Sequence, residues 1–250
     1  DLWRFLVEPE RLAESLLSQG VKAMKIWPFD VFAECTRGQY ISLEDLKKGA
    51  EPFRRIRQAV GDQMEIAVEL HNRWNLQSAV RIAKALEEYN PIWYEDPVPM
   101  DNLDALLRFK ESTHIATCAS ETVSTRWGFR EMFEKGATDI AMLDVTWTGG
   151  LSEAKKIATM AEAYHLPVAP HDCTGPVTLM ANVHLCMNVP NAIIQETVRS
   201  FLASWYRDLV DRLPEVKDGY VYAPQGPGLG TALRPEVLHR KDAHVQVSER

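Results

Sequence analysis

Three glutamates recur at a fixed interval. Glu69, Glu95 and Glu121 stand 26 residues apart, each closing a short apolar run. Carboxylates gathered at one place repel unless a cation neutralises them, and hard oxygen ligands with room for water and substrate suit Mg²⁺. Asp144 and His171 continue the series at a spacing of 27. On adjacent strands such a carboxylate can bond the imidazole, fix its tautomer and raise its basicity. Glu196 closes a further run, "IIQET", and Lys25 lies on the first run with Trp27 two residues on. His71 follows Glu69 by two positions in "VELHNRWN". Side chains alternate along a strand, so Glu69 and His71 are expected on one face and Val68 and Leu70 on the other. Any one of these acids alone could be a solvated or helix-capping residue. The repeated interval is what argues for a shared site, with the three glutamates level at one mouth.

That interval is one strand-and-helix unit. Short apolar runs near 21–27, 64–70, 91–96, 114–121, 139–145, 167–171 and 192–197 read as strands. Segments of helical period lie near 9–18, 43–59, 75–89, 102–112, 127–135, 151–164, 176–187 and 200–213. Ala79, Ile82, Ala83 and Leu86 illustrate the period. The first helix has no clear strand before it unless Leu2–Val7 serves. Strict alternation of the two types predicts a parallel sheet with buried strands. Units of about 25 residues fit a (β/α) barrel of the TIM type or an open doubly wound sheet. No GxGxxG opens a helix after a strand, which weakens the nucleotide-binding version. Residues 1–213 are expected to form the barrel, and 214–250, rich in Pro and Gly around "APQGPGLG", an extended tail associated with it.

Composition narrows the rest. A chain of 250 residues that is 46% hydrophobic and 25% charged can bury one sizeable core. Net charge is −7 and basic residues form no block, so nucleic acid is not expected as a partner. Apolar runs fall short of a membrane span. Cys35, Cys118, Cys173 and Cys186 form no CxxC pair, which suits a reduced, cytosolic setting. No signal peptide is visible, and the chain opens at Asp1 inside what already reads as domain sequence. A homo-oligomer is compatible with the sequence but not specified by it.

"VELHNRWN", "WYEDPV", "CASET", "MLDVTWTGGLSEAKKIATMAEAY", "APHDCTGPV" and "IIQET" resemble, in order and spacing, the barrel of the enolase superfamily. They are most similar to its mandelate racemase subgroup, and within it to acid-sugar dehydratases of the galactonate type. The resemblance runs from about residue 9 to "GPGLG". It implies that Glu69, Glu95 and Glu121 match Mg²⁺ ligands and that Asp144 and His171 match a base dyad. It further implies that Glu196 lies near the substrate carboxylate. Lys25 and Trp27, on one face of the first run, are the candidates to stabilise charge there and to line the substrate site. His71 matches the second histidine of galactonate-type members. The implied reaction is removal of the C2 proton of an aldonate or aldarate and loss of the C3 hydroxyl, giving a 2-keto-3-deoxy acid. Three departures stand out. The first ligand position is Glu where the subgroup usually has Asp. Lys25-Ile26-Trp27 keeps one lysine of the usual Lys-x-Lys pair, which argues against two-base racemisation. The α+β capping domain and first barrel strand of full-length members are not evident. Epimerisation on the same scaffold, or a non-catalytic or truncated metal-binding barrel, are the alternatives.

Overall fold

The structure is a computed structural model that describes residues 1–247; positions 248–250 of the expected tail lie outside the described residues. Five strands, β1 (Ala23–Ile26), β2 (Glu65–Glu69), β3 (Trp93–Glu95), β4 (Ala116–Ala119) and β5 (Ile140–Ala141), pair in parallel in chain order. The series continues through single parallel bridges, Ala141 to Val168 and Val168 to Ala192. All seven expected runs therefore take their places. The sixth and seventh are one-residue bridges because Pro167 and Pro170 offer no N–H to a ladder.

Helices cross between these positions as a (β/α) barrel requires. Those at Pro9–Leu17, Leu43–Val60, Leu76–Leu86, Leu103–Lys110, Thr125–Glu134, Leu151–Ala163 and Pro176–Asn188 match the expected segments within a few residues. Local chemistry starts them. Ser42 accepts from the Asp45 N–H, Asn75 from Ser78 and Asn102 from Ala105, each satisfying an amide that the first turn leaves unpaired. The expected helix over 200–213 is instead two short pieces, Arg199–Ala203 and Tyr206–Leu209. Leu2–Val7 is not a strand, because Arg4–Val7 is a helical turn. Short helices at Asp30–Thr36 and Val145–Thr148 were not expected. Among the described residues no helix is long and apolar enough to cross a membrane. Within the tail, Val216–Lys217 and Tyr220–Val221 form a small antiparallel hairpin, a local departure from an extended course.

Alternation along the strands builds two separate apolar layers. Ala67, Trp93, Cys118, Ile140, Met142 and Ala169 pack together inside the curve of the sheet. Ile66, Val68, Leu70, Tyr94, Leu143 and Val168 belong to the larger layer shared with the helices. The inner positions step by two from Ala67 to Glu69, Trp93 to Glu95, Met142 to Asp144 and Ala169 to His171. The apolar floor thus gives way, one step on, to ionisable side chains.

Two features stand out at this end. Gly38, at φ +70°, lies so close to the next crossover that a Cβ there would sit 1.7 Å from the Arg73 carbonyl oxygen. The Gly38 carbonyl also accepts from the Asn75 N–H at 3.0 Å. The second feature is Asp172. Alternation after His171 turns it away from the mouth, where it is fully buried and neither carboxylate oxygen has a hydrogen-bond partner among the described residues. Burial, then the charge of Glu196, pushes its pKa up to about 8.

The folded chain therefore holds a proton on Asp172 between about pH 4 and pH 8 that the unfolded chain releases. Stability contributed at this residue falls as pH rises through that window. Asp172→Asn should accordingly be more stable than the parent by about 1–3 kcal/mol above pH 8. The difference should vanish near pH 4, read as melting temperature against pH. An equal difference at both ends would show that the charge is not the cause.

Candidate active site

Each polar residue of the inner face leaves the end of a strand position, so the sheet delivers them to one rim. Glu69 and Glu95 are level, paired in register across β2 and β3. Glu121 is not level with them. The residue opposite Glu95 is Cys118, and Glu121 follows it by three, in the turn beyond β4. Equal spacing in sequence therefore did not mean equal height, because the third unit spends its last residues outside the ladder.

Lys25, on β1, sits among three carboxylates. Its Nζ lies 3.3 Å from Glu69 Oε2 and 2.8 Å from Glu196 Oε1, and it donates to Glu95 Oε1. Glu69 Oε1 accepts the His71 N–H at 2.6 Å, and Glu95 Oε2 accepts the Trp93 indole N–H at 3.0 Å. Burial, opposed by the Lys25 charge, raises the Glu69 pKa. Burial and the neighbouring Glu69 charge raise that of Glu95 well above the carboxylate range. For Glu196 burial acts the same way, but Lys25 and His171 outweigh it and its pKa is lowered.

His171 stands across the rim. Its Nδ1 is 2.8 Å from Asp144 Oδ2, and its Nε2 is 2.6 Å from Glu121 Oε2 and 3.9 Å from Glu196 Oε2. Asp144 is held from both sides. As N-cap of the Val145–Thr148 helix, its Oδ1 accepts from Thr146 N at 2.7 Å and Trp147 N at 3.2 Å. Its Oδ2 also accepts from the Thr174 hydroxyl at 3.1 Å. Burial alone would lower the imidazole pKa. Hydrogen bonds with Asp144, Cys173 and Glu121, with the Glu196 charge, outweigh burial and raise it far above the ordinary value. The ring is thus held between two carboxylates, Asp144 on Nδ1 and Glu121 on Nε2.

His71 does not reach the rim by strand alternation. β2 ends at Glu69, and His71 and Asn72 follow at φ +49° and +57° in a left-handed turn. The ring meets Trp27, two residues beyond Lys25, in a T-shaped contact at 5.9 Å between centroids. Trp27 also packs against Phe5 at 4.7 Å and is half-buried. Asp30 Oδ2 lies 2.7 Å from His71 Nδ1, without the alignment of a hydrogen bond.

Several partners were not singled out from the sequence. Asp30 follows β1 in "KIWPFD", and its contact with His71 needs the fold to be seen. Asp96 stands directly after Glu95 in "WYEDPV". It accepts from Asn72 Nδ2 at 3.0 Å and Ser120 Oγ at 2.8 Å, and burial with the Glu95 charge raises its pKa to about 7. Its adjacency to Glu95 was the available signal, as the position just after "APHDC" was for Thr174.

The donor chemistry fits a hard divalent ion: buried carboxylates outnumber their counter-charges, and two stand level on neighbouring strands. Their present arrangement suits an ammonium instead. Among the described residues no three His, Cys, Asp or Glu side chains stand grouped to hold a metal ion. Lys25 lies between Glu69 and Glu95, and Glu121 is turned onto His171.

Residues 8–237 match the model of the enolase C-terminal domain-like family. Among curated relatives, a D-xylonate dehydratase of Haloferax volcanii is 35% identical over 80% of this chain and 47% of its own length. An arabinonate dehydratase of Saccharolobus solfataricus is 32% identical over 79% of this chain and 52% of its own. A D-galactonate dehydratase of Ralstonia pickettii is 30% identical over 86% and 58%. The chain thus spans about half the length of these relatives. Among solved structures, a mandelate racemase subgroup enolase from Agrobacterium tumefaciens is 57% identical with a TM-score of 0.89, covering 91% of this chain and 62% of that one. An enolase from Sargasso Sea environmental sequence is 50% identical with a TM-score of 0.91, covering 95% and 64%. Sequence motifs, barrel order and these likenesses agree: the chain belongs to the enolase superfamily, as an enolase C-terminal domain-like barrel of the mandelate racemase subgroup.

Proposed function

We propose that this chain is the barrel portion of an acid-sugar dehydratase acting on an aldonate or aldarate. The observation that carries the reading is the His171–Asp144 pair, 2.8 Å apart, facing an ammonium and a set of carboxylates at one rim. The dehydratases among its relatives support the same class.

The residues divide the work. His171 Nε2 takes the C2 proton, and Asp144, pinned by two helix amides and Thr174, keeps the ring turned toward it. The pair between Nε2 and Glu121 has to open first, with the proton between them leaving on Glu121 so that the ring is neutral when it meets C2. Lys25 meets the negative charge that grows on the substrate carboxylate as the proton leaves. A Mg²⁺ ion held by Glu69, Glu95 and Glu121 would supply an electrophile against that same carboxylate. His71 gives a proton to the C3 hydroxyl, which departs as water with the C–O electron pair, and Trp27 lines the sugar's approach. The enol that remains takes up a proton at C3 and becomes the 2-keto-3-deoxy acid. With Trp27 where a second lysine would stand, no lysine faces His171 across C2 for a two-base racemisation. Four unpaired cysteines suit a cytosolic setting.

With Mg²⁺ and a library of acid sugars, the chain should release 2-keto acid from at least one member. Release of only the C2 epimer would replace this reading with epimerisation. His171→Asn should abolish both turnover and exchange of the C2 hydrogen in D₂O.

His71→Asn separates the two halves of the reaction. Dehydration should fall about 10²–10⁴-fold, the range for a lost general acid, while C2 exchange persists. A substrate carrying fluoride at C3 needs less help to leave and should recover much of the rate. Loss of C2 exchange in this variant would remove His71 from the leaving-group role.

A further inference from the structure

Lys25 is fully engaged. An ammonium has three N–H donors. Here three carboxylates from three strand positions surround it: Glu69 at 3.3 Å, Glu196 at 2.8 Å and Glu95. The outer oxygens of the β2–β3 pair are already committed elsewhere, Glu69 Oε1 to the His71 amide and Glu95 Oε2 to the Trp93 indole. The oxygens left to face a cation, Glu69 Oε2 and Glu95 Oε1, are the two that Lys25 holds. They are also oxygens on which a divalent ion at Glu69 and Glu95 would depend. An ammonium and a divalent ion drawn to the same two oxygens repel each other at close range, and the buried oxygens cannot withdraw into water to separate them.

We infer that Lys25 and the divalent ion compete for one place: the ammonium is the internal cation of the metal-free barrel, and metal binds by displacing it from Glu69 and Glu95. Glu196 is the residue that makes displacement feasible. It bonds Lys25 from the seventh strand position, its other oxygen is anchored by the Asp172 N–H at 2.8 Å, and it is outside the proposed ligand set. Lys25 can thus release two carboxylates and keep the third, which leaves two of its donors free for an anionic substrate. Metal arrival and exposure of the lysine become one event. The inference rests on the metal site proposed above.

The test uses the full chain stripped with EDTA and Mg²⁺ as the probe. Lys25→Met keeps the length of the stem and removes the charge. Isothermal titration should show Mg²⁺ binding about 10-fold or more tighter to the variant, since nothing need be displaced. Without metal the variant should melt below the parent, and Mg²⁺ should raise its melting temperature by more. A variant that folds only with Mg²⁺ supports the exchange equally. Reductive methylation of the unmutated chain, read by peptide mass spectrometry, is the second measurement. Lys25 should be protected without Mg²⁺ and labelled several-fold more with it. Equal or weaker Mg²⁺ binding by Lys25→Met, or unchanged labelling in the metal-bound parent, overturns the exchange while leaving the metal site standing. Absence of Mg²⁺ binding in both proteins overturns the metal site and the exchange together.

Discussion

Everything at the mouth of this barrel follows from placing several carboxylates where water cannot screen them. Two unit charges 4 Å apart interact by about 4 kcal/mol at the effective dielectric of a protein site, against about 1 kcal/mol in bulk water. Glu69, Glu95 and Asp144 are each at most 1% exposed, so their repulsion has to be answered locally. The answers are of three kinds. Lys25 supplies a full charge to the β2–β3 side, the His171 ring bridges Asp144 and Glu121, and helix amides supply partial charges to Asp144. Lys25 and the His171 ring are shared among five acids, so the rim remains short of positive charge.

The sheet makes this arrangement possible by separating two tasks along one strand. Inner positions deeper in the barrel are Ala67, Trp93, Cys118, Ile140, Met142 and Ala169, a dry plug that excludes water from below. One inner step beyond Ala67, Trp93, Met142 and Ala169 stand Glu69, Glu95, Asp144 and His171. Outer positions are apolar except for Thr117 on β4 and weld the strands to the helices, so the charged layer rests on a backbone that cannot easily shift. A register slip of one residue would send Glu69 into the helix layer and Val68 to the rim.

Much of this was legible in the sequence because it depends on periods. Strand–helix alternation pointed to the barrel, and unit-length spacing found Glu69, Glu95, Asp144, His171 and Glu196, whose rim positions depend on little more than strand order. What the sequence concealed lies where the backbone leaves the ladder. Glu121 keeps the 26-residue interval yet sits three residues past the level of Glu95, because a sequence interval does not say where pairing stops. His71 was placed by alternation, but its position comes from a left-handed turn. Asp30 and Thr174 act across loops with no periodic signature. The sixth and seventh strands shrank to bridges for a reason visible in advance, the prolines at 167 and 170.

Gly38 gives the mouth a property that its ionisable groups alone do not convey. Its backbone presses on the Arg73 carbonyl and holds the Asn75 amide, so the loop after β1 and the turn after β2 behave as a single hinge plate. Asp30 rides on the first and His71 on the second. A change in the length or tilt of either loop therefore moves the other, and Asp30 and His71 shift as a pair. Variation among relatives in this part of the mouth should then come as matched substitutions in both loops, with the floor beneath left alone.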